Sequence, residues 1–198
     1  VFRLLEDVNR TIPYWNDSDE KTRQFWRRVA VRAIFGFLEA SMSVTREHFV
    51  RDMLRERKDA ILAKEEVANE VAGIYAATEP IEWTLNDNGR AKDRKRKMSF
   101  IPMVKAICRV SFLVLGKPLE AVAEWMSKTE WTRIVQAVNV RDRLMHPHRH
   151  EDVFVSDDEM SSMQYVLQWT EDFDRELWEL HTSTIPEAAT TNGAGNGQ

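Results

Sequence analysis

Apolar residues recur at intervals of three and four through most of this chain, the spacing of helices that bury one face. Phe2, Leu4, Leu5 and Val8 outline a short amphipathic turn; Pro13 ends it, and the run Asn16, Asp17, Ser18, Asp19 supplies a helix cap. From 19 to 42 the pattern is a long helix, apolar on most sides beyond Val29. A second helical stretch, 43–75, carries a start signal in Ser43, Thr45 and Glu47. Its middle is dense in both charge signs at i, i+4 spacing, as on a solvated face or a dimer arm. Residues 99–115 form the most apolar helix, stopped by Gly116, Lys117 and Pro118, and 119–126 a shorter one. Thr129 caps a helix running to about Met145, with Trp131, Ile134, Val135, Val138 and Met145 as its core stripe. The last helix, 157–181, buries Met160, Met163, Val166, Leu167, Thr170, Phe173 and Leu177.

One stretch breaks the rhythm. Ile81, Glu82, Trp83, Thr84 and Leu85 alternate, and Asn86, Asp87, Asn88 and Gly89 signal a turn, so a β-hairpin is expected there. The fold class that follows is all-α: a bundle of about five helices with a short β-hairpin insertion. Residues 1–18 read as a leader, 19–182 as the helical domain and 183–198 as a disordered tail of Ala, Thr, Asn and Gly.

Composition narrows this picture. A chain of 198 residues that is 43% hydrophobic, with seven Trp and nine Phe, can bury a sizeable core in one domain. Its formal net charge of −4 argues against a generic nucleic-acid coat, so any RNA contact must come from a local patch. The single cysteine, Cys108, allows no disulfide framework and suits a small core position. No run approaches the roughly 18 to 20 apolar residues of a membrane span and no signal peptide is visible, so the cytoplasm is the expected location. The chain begins at Val1 rather than at a methionine, as a trimmed or partial chain would.

The chemistry concentrates in residues 139–152. Arg141, Asp142, Arg143 and His146 stand just ahead of Pro147. On an unbroken helix, positions five apart point roughly 140° away from each other, too far to share one small ligand. The residue before a proline is disfavoured in the α region, so the helix should give out at His146 and free its imidazole to swing toward Arg141. Arginine offers a permanent planar cation for a phosphate, and histidine transfers protons near neutral pH. Asp142 can orient either one and Arg143 adds charge. These are the elements of RNA cleavage without a metal: a group that moves the 2′-hydroxyl proton and a cation for the charge that builds on phosphorus.

The run Arg141-Asp142-Arg143-Leu144-Met145-His146 resembles the R-x4-6-H signature of the HEPN superfamily, including the polar residue after the arginine. The helix around residues 26–40 is similar to the first helix of bacterial HEPN proteins. The connector after Pro147 and a final helix opened by Ser156, Asp157, Asp158 and Glu159 are similar to theirs too. The resemblance spans about residues 20–182. It implies an all-α bundle and a metal-independent endoribonuclease, with no cofactor, that forms a homodimer around a shared cleft. It further implies a toxin or antiviral-defence role, with RNA as substrate and an antitoxin or regulatory protein as partner. Other members of the superfamily have lost catalysis and act as binding or scaffolding modules.

Three further features bear on a site. Arg28, Arg32 and Glu39 share one stripe of the helix 19–42, which would either pair internally or place Arg32 or Glu39 beside Arg141 and His146. Arg90, Lys92, Arg94, Lys95, Arg96 and Lys97 make six of eight consecutive residues basic. They form either a solvated loop or a contact to the RNA backbone. His146, His148 and His150 alternate in a way that suits a metal, but no cysteine pair completes a structural zinc set, and a solvated loop is the competing reading. Trp169 and Trp178 read as packing residues rather than base-stacking platforms, and Arg141, flanked by Val138 and Met145, should be partly buried with Asp142 or Glu39 as its partner.

Overall fold

The structure is a computed structural model and describes residues 2–78, 81–85, 91–95 and 99–183. It is an all-α bundle arranged around α2 (Glu20–Thr45), which packs against α1 (Phe2–Thr11), α6 (Phe100–Val114), α8 (Trp131–Met145) and α9 (Asp157–Ser183). Helix α2 starts where Asp19 accepts the amide of Thr22 at 2.8 Å, as its cap position predicts. One full side of it is buried, including Ala30, Val31, Ile34, Phe37, Leu38 and Met42.

The stretch expected to start afresh at Ser43 does not. Helix α2 runs on through Thr45 into a π-helical turn, Arg46–Asp52, and then into α3 (Met53–Glu56) and α4 (Lys58–Leu62). No proline or glycine lies between 42 and 56 to break it, and the wider turn shifts the helical phase so that Val50 and Met53 both reach the core. These short segments, with α5 (Glu65–Thr78) and α7 (Leu119–Lys128), take the helix count beyond the expected five. Helix α5 packs on α6, where Glu70 pairs with Arg109.

Residues 2–15 belong to the packed body. Val8 and Trp15 are buried, Trp15 Nε1 donates to Thr11 Oγ1 at 2.9 Å, and the ring of Tyr14 stacks on Trp26 at 4.6 Å. The alternating stretch pairs as β1 (Ile81–Leu85) and β2 (Ala91–Lys95), antiparallel, with Ile81 opposite Lys95 and Leu85 opposite Ala91. The tail beyond Ser183 lies outside the described residues.

Helix α6 ends in a Schellman turn. Gly116 adopts φ +90°, its amide donates to Leu113 O and the amide of Lys117 to Phe112 O, both at 3.0 Å. Thr129 does not cap α8; its hydroxyl bonds back to Trp125 O, and Glu130 takes the cap position with no side-chain bond. The buried stripe of α8 is also rotated from the one expected: Ile134, Ala137, Val138, Val140 and Leu144 face inward, while Val135 and Met145 are exposed. Wedged against both α2 and α9, the helix must bury two adjacent lines of residues, which turns Met145 outward. Helix α9 opens with a capping box in which the Ser156 amide donates to Glu159 and the Glu159 amide to Ser156 Oγ.

The deepest packing is aromatic. Phe112, Trp125, Trp169 and Phe173 meet where α6, α7 and α9 join, with Trp169 and Phe173 stacked at 5.8 Å and Phe112 edge-on to Phe173 at 5.6 Å. Trp169 is thus a packing residue, whereas Trp178 is half-exposed and stacks on His48 at 5.6 Å. Cys108 is fully buried, and burial pushes its thiol well above the usual value.

Candidate active site

Helix α8 ends at Met145. The amide of His146 still donates to Asp142 O at 3.0 Å, but its backbone has left the helix (φ −133°, ψ 61°), as the proline that follows requires. The His146 side chain lines the same hollow as Arg141, one helical turn beyond Asp142, which lines it too. The hollow, about 370 Å³, lies between α2 and α8; Arg32, Gly36 and Glu39 form one side, and Arg141, Asp142, Met145 and His146 the other. The structure therefore brings together Arg141, Asp142, His146, Arg32 and Glu39 from positions more than a hundred residues apart in sequence.

Arg141 is the most tightly held member. One terminal nitrogen donates to Glu39 at 2.7 Å, and Nε donates to Asp142 at 3.0 Å. Its guanidinium carbon sits 4.9 Å from the ring centre of Phe35 and 4.8 Å from that of Phe100; the two rings, 6.1 Å apart centre to centre, pack against each other and flank the cation together. Its side chain is only 20% exposed, against 54% for Glu39 and 58% for Asp142. The expectation that Glu39 or Asp142 would partner this partly buried cation was too narrow, because both do. The two rings carried no sequence signal: Phe35 reads as an ordinary core residue and Phe100 as the first residue of α6, and only tertiary packing brings both against Arg141.

Other expected members lie elsewhere. Arg143 faces away from the hollow, donating to Phe154 O at 2.8 Å and to Glu159 at 3.0 Å, so it holds the chain that follows the motif. His148 and His150 are exposed, and among the described residues no group of three or more His, Cys, Asp or Glu side chains is placed to hold a metal ion. The loop bearing these histidines is shaped by Asp152, which accepts the amides of Arg149 and His148 at 2.8 Å each; these two bonds hold its carboxyl below the usual value. Within the basic run, Lys92, Arg94 and Lys95 stand on β2 opposite Thr84, Glu82 and Ile81, while Arg90, Arg96 and Lys97 lie outside the described residues.

The sequence reading also missed a buried polar knot beside the site. Arg27, 3% exposed, donates to Trp15 O at 2.8 Å and to Val155 O at 2.9 Å and pairs with Asp157. Gln24 donates to Val155 O at 3.0 Å and accepts its amide at 2.8 Å. A charged residue at a core position of α2 was the available signal, since such a residue needs partners wherever it goes. Among the described residues no helix is long and apolar enough to cross a membrane. Compared with models of protein families, with curated proteins and with solved structures, the chain matches none.

Proposed function

We propose that this chain is a metal-independent endoribonuclease of HEPN type whose active site is the hollow between α2 and α8. The observation that carries this reading is the convergence of an imidazole and a guanidinium on one open hollow at the end of α8, where the helix stops before His146. His146 moves the proton of the 2′-hydroxyl or protonates the leaving 5′-oxygen, and Arg141 stabilises the charge on phosphorus. Arg32, exposed on the opposite side of the hollow, adds a second cation for the strand. Glu39 and Asp142 position Arg141, and the incoming phosphate competes with them for its donors. The product is a 2′,3′-cyclic phosphate. The working form is a homodimer facing two such hollows, acting as a toxin or antiviral-defence effector under the control of an antitoxin or regulatory protein.

One observation favours a second reading. A guanidinium held by two carboxylates and two rings is also how a purely structural cation is satisfied, and in that case the chain is a non-catalytic module of the same fold that binds a protein or RNA. Cleavage of a labelled mixed-sequence RNA in EDTA, with analysis of the product ends, separates the two. The nuclease reading expects cleavage by the parent and a loss of about a hundredfold or more in both His146→Ala and Arg141→Ala. A His146→Ala variant that cleaves as fast as the parent overturns it.

A further inference from the structure

Three successive carbonyls in the segment after the motif are each held by a guanidinium. Arg28 donates to Val153 O at 3.3 Å, Arg143 to Phe154 O at 2.8 Å and Arg27 to Val155 O at 2.9 Å. The backbone between them is extended (Phe154 φ −83°, ψ 138°), so neighbouring side chains point to opposite sides. Val155 is accordingly fully buried, and the ring of Phe154 is turned outward, 49% exposed. The ring of Phe154 is thus held in place by its backbone, half in water and free to take a flat partner.

The ring forms one wall of a second hollow of about 620 Å³. Arg28, Lys21 and His150 also line it, with Glu20 and Glu151 as its carboxylates. Arg28 lies one helical turn before Arg32 on the same stripe of α2, and Arg32 lines the motif hollow, so the two hollows adjoin along one helix face. Of the two carboxylates, Glu20 is paired with Arg23, and a flat apolar face beside Arg28 and Lys21, one turn from a candidate phosphodiester site, matches a base attached to a phosphate chain better than it matches an aliphatic peptide.

We propose that this second hollow is a base-stacking subsite for single-stranded RNA. Phe154 takes the face of a nucleobase next to the cleaved linkage, and Arg28 with Lys21 takes the phosphate leading to it. Stacking of this kind is sequence-tolerant, because every base has a π face. The inference rests on the nuclease reading of the neighbouring hollow, but it is tested by binding rather than by turnover.

The probe is a mixed-sequence 2′-O-methyl hexanucleotide, which lacks the attacking hydroxyl, titrated against the parent, Phe154→Ala, Phe154→Trp and Arg28→Gln, each first checked for an unchanged melting temperature. The expected result is binding by the parent, about tenfold weaker binding by Phe154→Ala, recovery in Phe154→Trp, and a flatter salt dependence in Arg28→Gln. Equal affinity of Phe154→Ala and the parent overturns the subsite, as does a parent that does not bind the probe; neither result touches the nuclease reading, which stands or falls on cleavage by His146→Ala. Conversely, Phe154-dependent binding by a protein that cleaves no RNA retains the subsite and removes the nuclease.

Discussion

Replacing Arg141 by methionine keeps much of the aliphatic stem and removes the cation that rests against Phe35 and Phe100. What is lost can be counted from the site. The pair with Glu39 is half in water, and that with Asp142 similarly so, which limits each to roughly 0.5 to 1 kcal/mol. The two ring contacts contribute roughly 0.5 to 1 kcal/mol each. Because these contributions share one guanidinium and are not independent, the expected loss is about 2 kcal/mol, or about 4 to 8 °C in melting temperature for a chain of this length. Glu39→Gln removes one pair only and should cost about 0.5 kcal/mol; in the Arg141→Met background it should cost nothing. His146→Ala, which trims an exposed side chain, should stay within about 0.5 kcal/mol of the parent. Thermal and denaturant unfolding of the four single and double variants measures all of this. An Arg141→Met protein as stable as the parent would refute the contribution of these contacts. A His146→Ala protein destabilised as much as Arg141→Met would show that the imidazole is a structural partner and not a group left free for chemistry.

Arg27→Met should be more damaging, by about 3 kcal/mol, since it leaves Trp15 O without its buried donor and loosens the segment that carries Phe154; chemical denaturation reads the loss directly. Gly116→Ala should cost about 1 to 2 kcal/mol even though no atom lies within 4 Å of the added methyl, because the left-handed backbone is itself unfavourable for alanine; an unchanged melting temperature would contradict the turn. Burial, together with neighbouring His48 and Arg57 and opposed by Glu56, holds the His181 imidazole below its usual 6.5. The unfolded chain therefore takes up that proton first, so this contribution to stability is complete above 6.5 and is lost as pH falls below it. Melting curves at about pH 7.5 and about pH 5.5 should show a drop that His181→Gln reduces.

Much of the bundle was legible as periodicity. The starts and stops of α2, α6 and α9 lay in Asp19, in Gly116 and in the Ser156 to Glu159 box, because capping is a local bargain between a side chain and amides a few residues away. Boundaries without a local signal were harder. Thr129 had the right chemistry for a cap but bonded backward to α7, and Ser43 had the right chemistry for a start inside a helix that packing carried onward. Val135 and Met145 fit the apolar stripe of α8, yet a helix pressed against two neighbours buries a face that its own sequence does not define.

The same division runs through the candidate site. Residues 141–147 alone determined that a guanidinium and an imidazole would stand at a helix end, since a proline excludes the α conformation from the residue before it and that effect acts over a single peptide unit. Only the tertiary structure decided what surrounds them: that Glu39 joins Asp142 on Arg141, that Phe35 and Phe100 flank it, that Arg143 turns away, and that three arginines pin the segment carrying an exposed Phe154. Helical period places a residue on a face of its own helix, but which side chains meet across two faces depends on how the helices cross, and that is set by the packing of the whole core.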